Sequence, residues 1–205
     1  MTDRFQKCVW AVFGAALVAI TTVAFLTEFR RSPLPVIGPI RSFTLTNQLG
    51  AAVDLASLRG SAGVVNIIFS QCPTQCPKLT AQMARVQESM PAGARLLTLT
   101  ADPGHDTPEV LTRYGQTYHA DPARWWFLTG AKAEIYRLAI DDFKFNLLEN
   151  AEPAKARLED LFIHSTDFAV FDRVGQLRAV VHGEEPDAVT RIVTLLRQLQ
   201  RESLP

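Results

Sequence analysis

The sequence is poor in cysteine and carries no excess charge of either sign. Only three of its 205 residues are cysteines, too few for a disulfide-stabilised scaffold. Its 21 basic and 21 acidic residues cancel, and no long run of like charge occurs. Because phosphate binding needs a concentrated basic surface, nucleic acid is not expected as a partner. With 47% apolar and 20% charged residues, the composition is that of a globular protein.

An uncharged apolar segment lies near the N-terminus. Residues 9–26 form eighteen consecutive positions without a charge, close to the shortest length that spans a bilayer, and Arg4 and Lys7 precede them. We predict that residues 1–28 form an uncleaved transmembrane anchor with a short cytoplasmic tail. A cleaved signal peptide is the alternative, disfavoured because the run is long for one and no small-x-small cleavage site follows. Cys8 is interpreted as an ordinary residue of this segment.

The rest of the chain divides into a linker and one folded domain. Three prolines fall within residues 30–40, which predicts a stiff, extended linker over residues 29–40. Residues 41–205 are the length of one domain. Strands alternate with helices along this domain, which predicts an α/β fold with parallel strand pairs where helices cross over.

Hydrophobic periodicity and turn residues predict the individual elements. Alternating residues around a Gln-Leu-Gly turn predict an N-terminal β-hairpin within residues 42–55. Other strands are predicted at residues 63–69, 94–100 and 125–130, with a second hairpin at 166–182. Apolar residues at helical spacing predict helices at residues 79–90, 106–118, 131–140 and 186–201. Asp106 is the predicted N-cap of the second of these helices.

Two cysteines lie where a predicted strand gives way to a helix. Cys72 and Cys76 belong to the stretch FSQCPTQCPKLT, residues 69–80. Unpaired N–H groups and partial positive charge at a helix start make a thiol there more thiolate-like than a free one. If the first turn is helical, a spacing of four places both sulfurs on one helical face, and Pro73 and Pro77 stiffen the loop and the helix start. The pattern predicts an exposed dithiol that closes to a disulfide or binds a soft metal.

Three other kinds of site would also use paired cysteines. An inert structural disulfide is disfavoured because prolines bracket the pair at a strand-to-helix turn. A peroxidase site is disfavoured because Phe69 stands where a threonine would be expected three positions before the reactive cysteine. A structural zinc site needs four ligands, and no further Cys–His pair lies at finger-like spacing.

Four motifs follow one another along the chain: FSQCPTQCP, DPGHDTPEVLTRYG, WFLTG and FIHSTDFAVFDRVGQL. In their order and spacing the chain resembles the SCO/SenC family over roughly residues 37–200. The family consists of membrane-anchored, thioredoxin-like copper proteins linked to cytochrome c oxidase assembly. The resemblance therefore implies a thioredoxin-like fold extended by the N-terminal β-hairpin and the N-terminal transmembrane helix.

The resemblance also implies a copper site. Its ligands would be Cys72, Cys76 and, in FIHST, His164, while Asp102 and Asp106 match acidic positions that lie near the metal loop or support it. Thiolates suit Cu(I), and imidazole suits copper in both oxidation states, although Cu(II) would require a further ligand such as water or a carboxylate. Because the thiolates must be reduced to bind metal, a Cys72–Cys76 disulfide would be metal-free.

The function implied is delivery of copper to, or preparation of thiols at, the CuA site during cytochrome c oxidase assembly. The expected partners are the oxidase subunit that carries CuA, another copper chaperone or thiol reductant, and the membrane. A single-pass protein of the bacterial inner membrane with its domain in the periplasm is expected, or the equivalent in the mitochondrial inner membrane facing the intermembrane space. The alternative is a thiol–disulfide oxidoreductase whose catalytic residues are Cys72, which attacks, and Cys76.

Two residues of the cysteine loop depart from the family pattern. Gln71 stands where a histidine is frequent, and Thr74 stands where many members have an aspartate. Neither position is an expected primary ligand. Outside the loop, the interpretation is of surface or core positions: surface for His105, His119 and His182, core for Met83, and an exposed helix end for Asp141 and Asp142.

Overall fold

The protein is described here by a computed structural model, covering residues 2–29, 34–151, 157 and 162–202. The chain divides into two compact units, residues 1–33 and 34–205. The first unit contains helix α1, Thr2–Phe29, which includes the apolar segment 9–26. Within the residues described, none of the helices combines the length and apolarity needed to cross a membrane. The membrane-spanning role of residues 9–26 stays a prediction.

The second unit is built on a mixed β-sheet. Its strands are β1 (Gly38–Pro39), β2 (Thr44–Asn47), β3 (Ala52–Asp54), β4 (Gly63–Ile68), β5 (Arg95–Thr100), β6 (Trp125–Thr129), β7 (Leu147–Glu149), β8 (Phe162–His164), β9 (Asp167–Phe171) and β10 (Gln176–His182). Across the described residues, eight of them form one sheet in the order β1-β10-β9-β4-β5-β6-β2-β3, and β7 pairs with β8 separately. Strands β4, β5 and β6 are parallel, whereas β9 and β10 form an antiparallel hairpin. The predicted α/β fold and both predicted hairpins are confirmed.

Helices connect the parallel strands and follow the last hairpin. They are α2 (Gln75–Ser89), α3 (Pro108–Thr117), α4 (Lys132–Arg137) with a π-helical continuation (Leu138–Asp142), and α5 (Ala188–Arg201), besides a short 3₁₀ turn (Ala56–Leu58). All four predicted helices are present at about the predicted positions. A helix between consecutive parallel strands is the connection that such pairs require.

Two apolar clusters form the core on the two faces of the sheet. Successive residues of a strand point to opposite faces, so Val64 contributes to one cluster and Val65 to the other. The first cluster includes apolar residues of α2 and α5, among them Met83 and Ile192, both fully buried. The second cluster contains both predicted site cysteines together with a group of aromatic residues, Phe69, Phe143, Phe145 and Phe162.

A buried arginine fastens the start of the second unit. Arg178, on β10 and nearly buried, donates from Nη1 to Asp172 Oδ2 at 2.8 Å and from Nη2 to Glu202 Oε2 at 2.8 Å. Its Nε also donates to the carbonyl oxygens of Leu34 and Pro35, each at 3.2 Å. The last part of the segment predicted as a linker is therefore bound to the sheet, and residues 38–39 form strand β1.

The predicted exposed helix end is wrong for Asp142. Its side chain is only 2% exposed, whereas that of Asp141 is 55% exposed. The Asp142 carboxylate accepts hydrogen bonds from the Arg41 backbone N–H at 3.0 Å, Arg41 Nε at 2.7 Å and Arg137 Nη1 at 3.1 Å. Two arginines thus compensate the burial of this charge, which a buried carboxylate requires.

Gly63, the first residue of β4, offers a test of core packing. A Cβ at this position would lie 2.3 Å from Phe171 Cζ and 2.5 Å from the Arg95 carbonyl oxygen. Gly63→Ala is expected to lower the free energy of unfolding by about 3 kcal/mol, the upper end of typical overpacking costs, because backbone forms one wall. Gly38→Ala is the matched control, since its Cβ would meet no atom within 4 Å. Urea unfolding midpoints that are equal for the two variants would contradict this packing.

Candidate metal centre

The loop between β4 and α2 brings both cysteines of the predicted site together. The Cys72 N–H donates to the Phe69 carbonyl oxygen at 3.1 Å, which closes a turn directly after β4. Cys76 is the second residue of α2, and the Phe69 N–H donates to its sulfur at 3.4 Å. The strand end and the helix start therefore both position Cys76, as the strand-to-helix pattern predicts.

The prediction of an exposed dithiol is wrong. Cys72 is only 6% exposed and Cys76 is fully buried, and the two sulfurs are not joined in a disulfide. The reason is that the loop folds onto the second apolar cluster, where the rings of Phe69 and Phe162 lie with centroids 5.0 Å apart. Access to the pair is therefore through Cys72, which retains a small exposed surface.

The two thiols differ strongly in acidity. A hydrogen bond from the Cys76 thiol is the largest cause that lowers the pKa of Cys72 to about 4, and backbone N–H groups of residues 74–76 add to it against the opposing effect of burial. The same bond, followed by burial, raises the pKa of Cys76 far above the ordinary value. At neutral pH the pair therefore consists of a Cys72 thiolate and a Cys76 thiol that share one proton.

This acidity predicts an unusual alkylation profile. In reduced protein, iodoacetamide is expected to modify Cys72 at a nearly constant rate above pH 6 and more slowly as pH falls through about 4, because only the thiolate is nucleophilic. Peptide mass spectrometry locates the modified residue. In Cys76→Ala, which lacks the donor thiol, the midpoint is expected to move upward. A midpoint between pH 8 and 9 for the unsubstituted protein would overturn the assignment.

Asp106 joins the cysteine loop to the loop that follows β5. Its fully buried carboxylate accepts hydrogen bonds from the Ser70 N–H at 3.1 Å and from the hydroxyls of Ser70 and Thr100. The predicted N-cap role of Asp106 is wrong, because Thr107 caps α3, accepting from the Val110 N–H at 3.4 Å. The negative charge of Asp106 also contributes to the raised pKa of Cys76.

The predicted third ligand, His164, has a described backbone, while its side chain lies outside the described residues. The backbone ends strand β8 and pairs with Leu147 of β7. Phe162, two residues before His164 on the same strand, packs against Phe69. Phe69 in turn lies three residues before Cys72 in the sequence. Among the side chains that are described, no group of three His, Cys, Asp or Glu residues is arranged to hold a metal. His164 therefore stays a predicted ligand.

The remaining histidines and Asp102, the other aspartate of the DPGHDTP motif, lie away from the cysteine pair in sequence and have these contacts. His105 and His119 are exposed, and His119 has a positive φ of 53°. The Asp102 N–H donates to Thr100 Oγ1 at 2.9 Å, and its carboxylate accepts from the His105 N–H at 3.3 Å. His182 lies at the end of β10, where a hydrogen bond with Asp167 raises its pKa. The sequence does not predict the last contact.

The donor chemistry of the cysteine pair fits a soft metal. Cys72 already provides a thiolate, and the proton shared by the two sulfurs is the one that a metal would replace. Sulfur ligands select Cu(I) over hard cations. The residues present are therefore suited to Cu(I) as cargo, with one or more further donors required from elsewhere in the protein.

A family model described as SCO1/SenC matches residues 38–199. The chain belongs to the SCO1/SenC family. The SCO1 protein homolog of Bacillus subtilis is 32% identical over 155 residues, which cover 74% of this chain and 77% of the homolog. The predicted family is confirmed by these matches.

Solved Sco structures share the fold. The structure of BsSco, described as a member of the Sco family of cytochrome c oxidase assembly proteins with a disulfide switch, superposes with a TM-score of 0.72 at 27% identity, covering 84% of this chain and 100% of BsSco. Copper-bound ScoI of Bradyrhizobium japonicum superposes with a TM-score of 0.65 at 23% identity, covering 78% of this chain and 98% of ScoI. The mixed α/β sheet is thus the thioredoxin-like fold of Sco proteins.

Proposed function

We propose that this Sco protein binds Cu(I) through Cys72, Cys76 and His164 and delivers it to the CuA site of a cytochrome c oxidase subunit. The observation that supports this most is the buried Cys72 thiolate bonded to the Cys76 thiol at the start of α2. Family membership supports the choice of cargo and client, since BsSco is described as an oxidase assembly protein and the ScoI structure holds copper.

The chain's own residues would handle the ion in a simple order. The Cys72 thiolate, the more exposed sulfur, meets Cu(I) first, and Cys76 then releases the shared proton and becomes the second ligand. Asp106 keeps the two loops together throughout. A site with few ligands can pass the ion on by ligand exchange with a client. Oxidation of both thiols to a disulfide would remove the sulfur ligands, and Cu(II) would need an added water or carboxylate.

The proposed setting follows from the N-terminal segment. Residues 1–28 would act as the membrane anchor, residues 29–40 as the linker, and residues 41–205 as the copper-binding domain in the periplasm or, equivalently, the intermembrane space. Besides the CuA subunit, the proposed partners are a copper chaperone that loads the site and a thiol reductant that keeps Cys72 and Cys76 reduced.

A Cu(I) titration of the full-length protein tests this function. Under anaerobic conditions, the reduced protein is expected to take one equivalent of Cu(I) from a chromophoric chelator. Protein in which Cys72 and Cys76 have been oxidised to a disulfide is expected to take none, because the thiolates are no longer available. Equal uptake by the two forms would show that the cysteine pair is not the copper site.

The low pKa of Cys72 also favours a second function, thiol–disulfide exchange with clients. The Cys72 thiolate would attack a client disulfide, releasing one client sulfur as a thiolate and forming a mixed disulfide. Cys76 would then lose its proton to the first client thiolate and attack the Cys72 sulfur, which frees the second client thiolate and leaves a Cys72–Cys76 disulfide. Insulin reduction that is unaffected by His164→Ala and by added Cu(I) would favour this enzyme. Slow reduction together with tight copper binding would favour the copper carrier.

A further inference from the structure

A hydrogen-bonded chain of three polar residues begins at Ser165, the residue that follows His164 in the sequence. Asp167, the first residue of β9, uses both of its carboxylate oxygens. One accepts a hydrogen bond from the hydroxyl of Ser165, and the other lies 2.5 Å from His182 Nδ1 on β10. The His182 ring also lies 3.6 Å from Glu184 through Nε2. This Ser165–Asp167–His182 chain therefore links the residue after His164 to the neighbouring strand.

The Ser165–Asp167–His182 chain is shielded from water at its Ser165 end, the end next to His164. Ser165 is only 7% exposed, and the Asp167 side chain is 19% exposed, whereas the His182 side chain is 52% exposed. Hydrogen bonds with a charged acceptor are stronger than neutral ones, and burial on the Ser165 side limits competition from water. The Ser165 end of the chain is therefore the better fixed end.

Backbone contacts hold the same segment from both sides. The Ser165 N–H donates to the Asn146 carbonyl oxygen at 2.8 Å, next to β7. On the other side, the Gly183 N–H donates to the Thr166 carbonyl oxygen at 3.0 Å. A Cβ at Gly183 would lie 2.3 Å from that oxygen, so the approach of the two segments depends on glycine. Residues 165–167 are thus fastened between β7 and β10.

We propose that Asp167 is a positioning residue for the copper site: by binding Ser165 it fixes the backbone that carries His164. This inference rests on the proposed function, in which His164 is a ligand. Asp167 does not touch the metal in this proposal. Its effect is to reduce the range of positions open to the imidazole, so that the third ligand need not be ordered when copper binds.

A purely structural role for Asp167 is the competing explanation, and Asp172 provides the matched control. Asp172 directly follows β9 at the opposite end of the same strand and is only 6% exposed. Its carboxylate accepts from Arg178 Nη1 at 2.8 Å and from the N–H groups of Val174 at 3.0 Å and Gln176 at 2.9 Å. Removing either carboxylate is expected to destabilise the hairpin. Only Asp167 is bonded to Ser165, the residue next to the predicted ligand.

The test is Cu(I) affinity of the reduced full-length protein by chelator competition. Asp167→Ala and Ser165→Ala are each expected to weaken binding by about tenfold, the low end of the effect of outer-shell partners on metal sites. Asp167→Asn, whose carbonyl oxygen still accepts from Ser165, is expected to recover most of this loss. Asp172→Asn is expected to lower the melting temperature while changing the affinity by less than about twofold.

Hydrogen exchange of the metal-free protein supplies a second readout. A peptide spanning residues 162–168 is expected to exchange faster in Asp167→Ala than in the unsubstituted protein or Asp172→Asn. If exchange rises but copper affinity does not change, or if exchange itself does not change, the positioning role is overturned. Equal losses of affinity in Asp167→Ala and Asp172→Asn would also overturn it, since they would indicate general destabilisation.

His164→Ala separates failure of this inference from failure of the proposed function. If His164→Ala weakens copper binding while Asp167→Ala does not, only the positioning role fails. If His164→Ala leaves the affinity unchanged, His164 is not a ligand, and both proposals fail together. The expected order of loss is His164→Ala first, then Asp167→Ala, with Asp172→Asn close to the unsubstituted protein.

Discussion

Reduced protein carrying Cys72→Ser is expected to bind Cu(I) more than about 100-fold more weakly, beyond the loss that follows removal of an outer-shell partner. Serine keeps the size and the hydrogen bonds of the side chain but replaces a sulfur thiolate, which Cu(I) prefers, by a hydroxyl. Cys76→Ser should cause a similar loss, because each variant leaves one sulfur. Anaerobic competition with a chromophoric chelator measures the affinity, and circular dichroism checks that the fold is retained.

His105→Ala is the control for His164→Ala in the same experiment. His105 is exposed and directly precedes Asp106, the residue that joins its loop to the cysteine loop. It is therefore a histidine close in sequence to the site that is not a predicted ligand. Its replacement is expected to leave the affinity within about twofold, whereas His164→Ala should lower it by more than the hundredfold limit of outer-shell effects.

A serine variant of Cys72 or Cys76 that still binds one equivalent of copper tightly would remove the cysteine pair from the site.

Asp106→Asn is expected to lower the free energy of unfolding by about 3 kcal/mol, because hydrogen bonds to a charged group are each worth about 1.5–3 kcal/mol. The carboxylate accepts from the Ser70 N–H, the Ser70 hydroxyl and the Thr100 hydroxyl while fully buried. An amide has one acceptor oxygen, and its NH₂ group would face a donor. Urea unfolding with an unchanged m-value measures the loss.

Asp102→Asn is the comparison for Asp106→Asn. Asp102 belongs to the same DPGHDTP motif, but it is only partly buried, and its carboxylate accepts from the His105 N–H at 3.3 Å. Its replacement is expected to cost less than about 1 kcal/mol, as for an ordinary hydrogen bond near the surface. The copper affinity of Asp106→Asn should also fall, because the two loops lose their common acceptor. Equal unfolding midpoints for the two variants would contradict this assignment.

The parts of the fold that depend on local pattern were predictable. The strands β4, β5 and β6 are apolar runs, and the helices α2 and α5 carry apolar residues at helical spacing, so periodicity alone locates them. The position of the cysteines at a helix start follows in the same way, and so does the lowered pKa of Cys72. In each case the deciding interactions lie within one element or its immediate end.

The parts that depend on distant partners were not predictable. Asp106 has the sequence context of an N-cap, but its partner Ser70 lies 36 residues earlier, so its buried role depends on the folded sheet. Cys72 is likewise buried in a cluster that includes Phe162, 90 residues further along the chain, so its burial depends on the folded domain. Strands β7 and β8 have three residues each, too short to show a periodicity.

The contact between Asp167 and His182 could not be predicted because the pairing register of the β9–β10 hairpin is irregular. Near the turn of the β9–β10 hairpin, Leu177 pairs with Phe171, and continuing this register would place Val181 opposite Asp167. A register shift between Leu177 and Ala179 places His182 there instead. Because one residue of slip changes which side chains face each other, hairpin symmetry gives the wrong pair.

The arrangement around Arg178 has a mechanical consequence. Tension applied through the segment before Leu34 would be borne first by the bonds from Arg178 to the carbonyl oxygens of Leu34 and Pro35. The load then passes into β10 and, through Glu202, to the end of α5. In the sheet order, β9 separates β10 from β4, the strand from which the cysteine loop emerges. The attachment point of the N-terminal segment therefore lies two strands away from the strand that carries the cysteine loop.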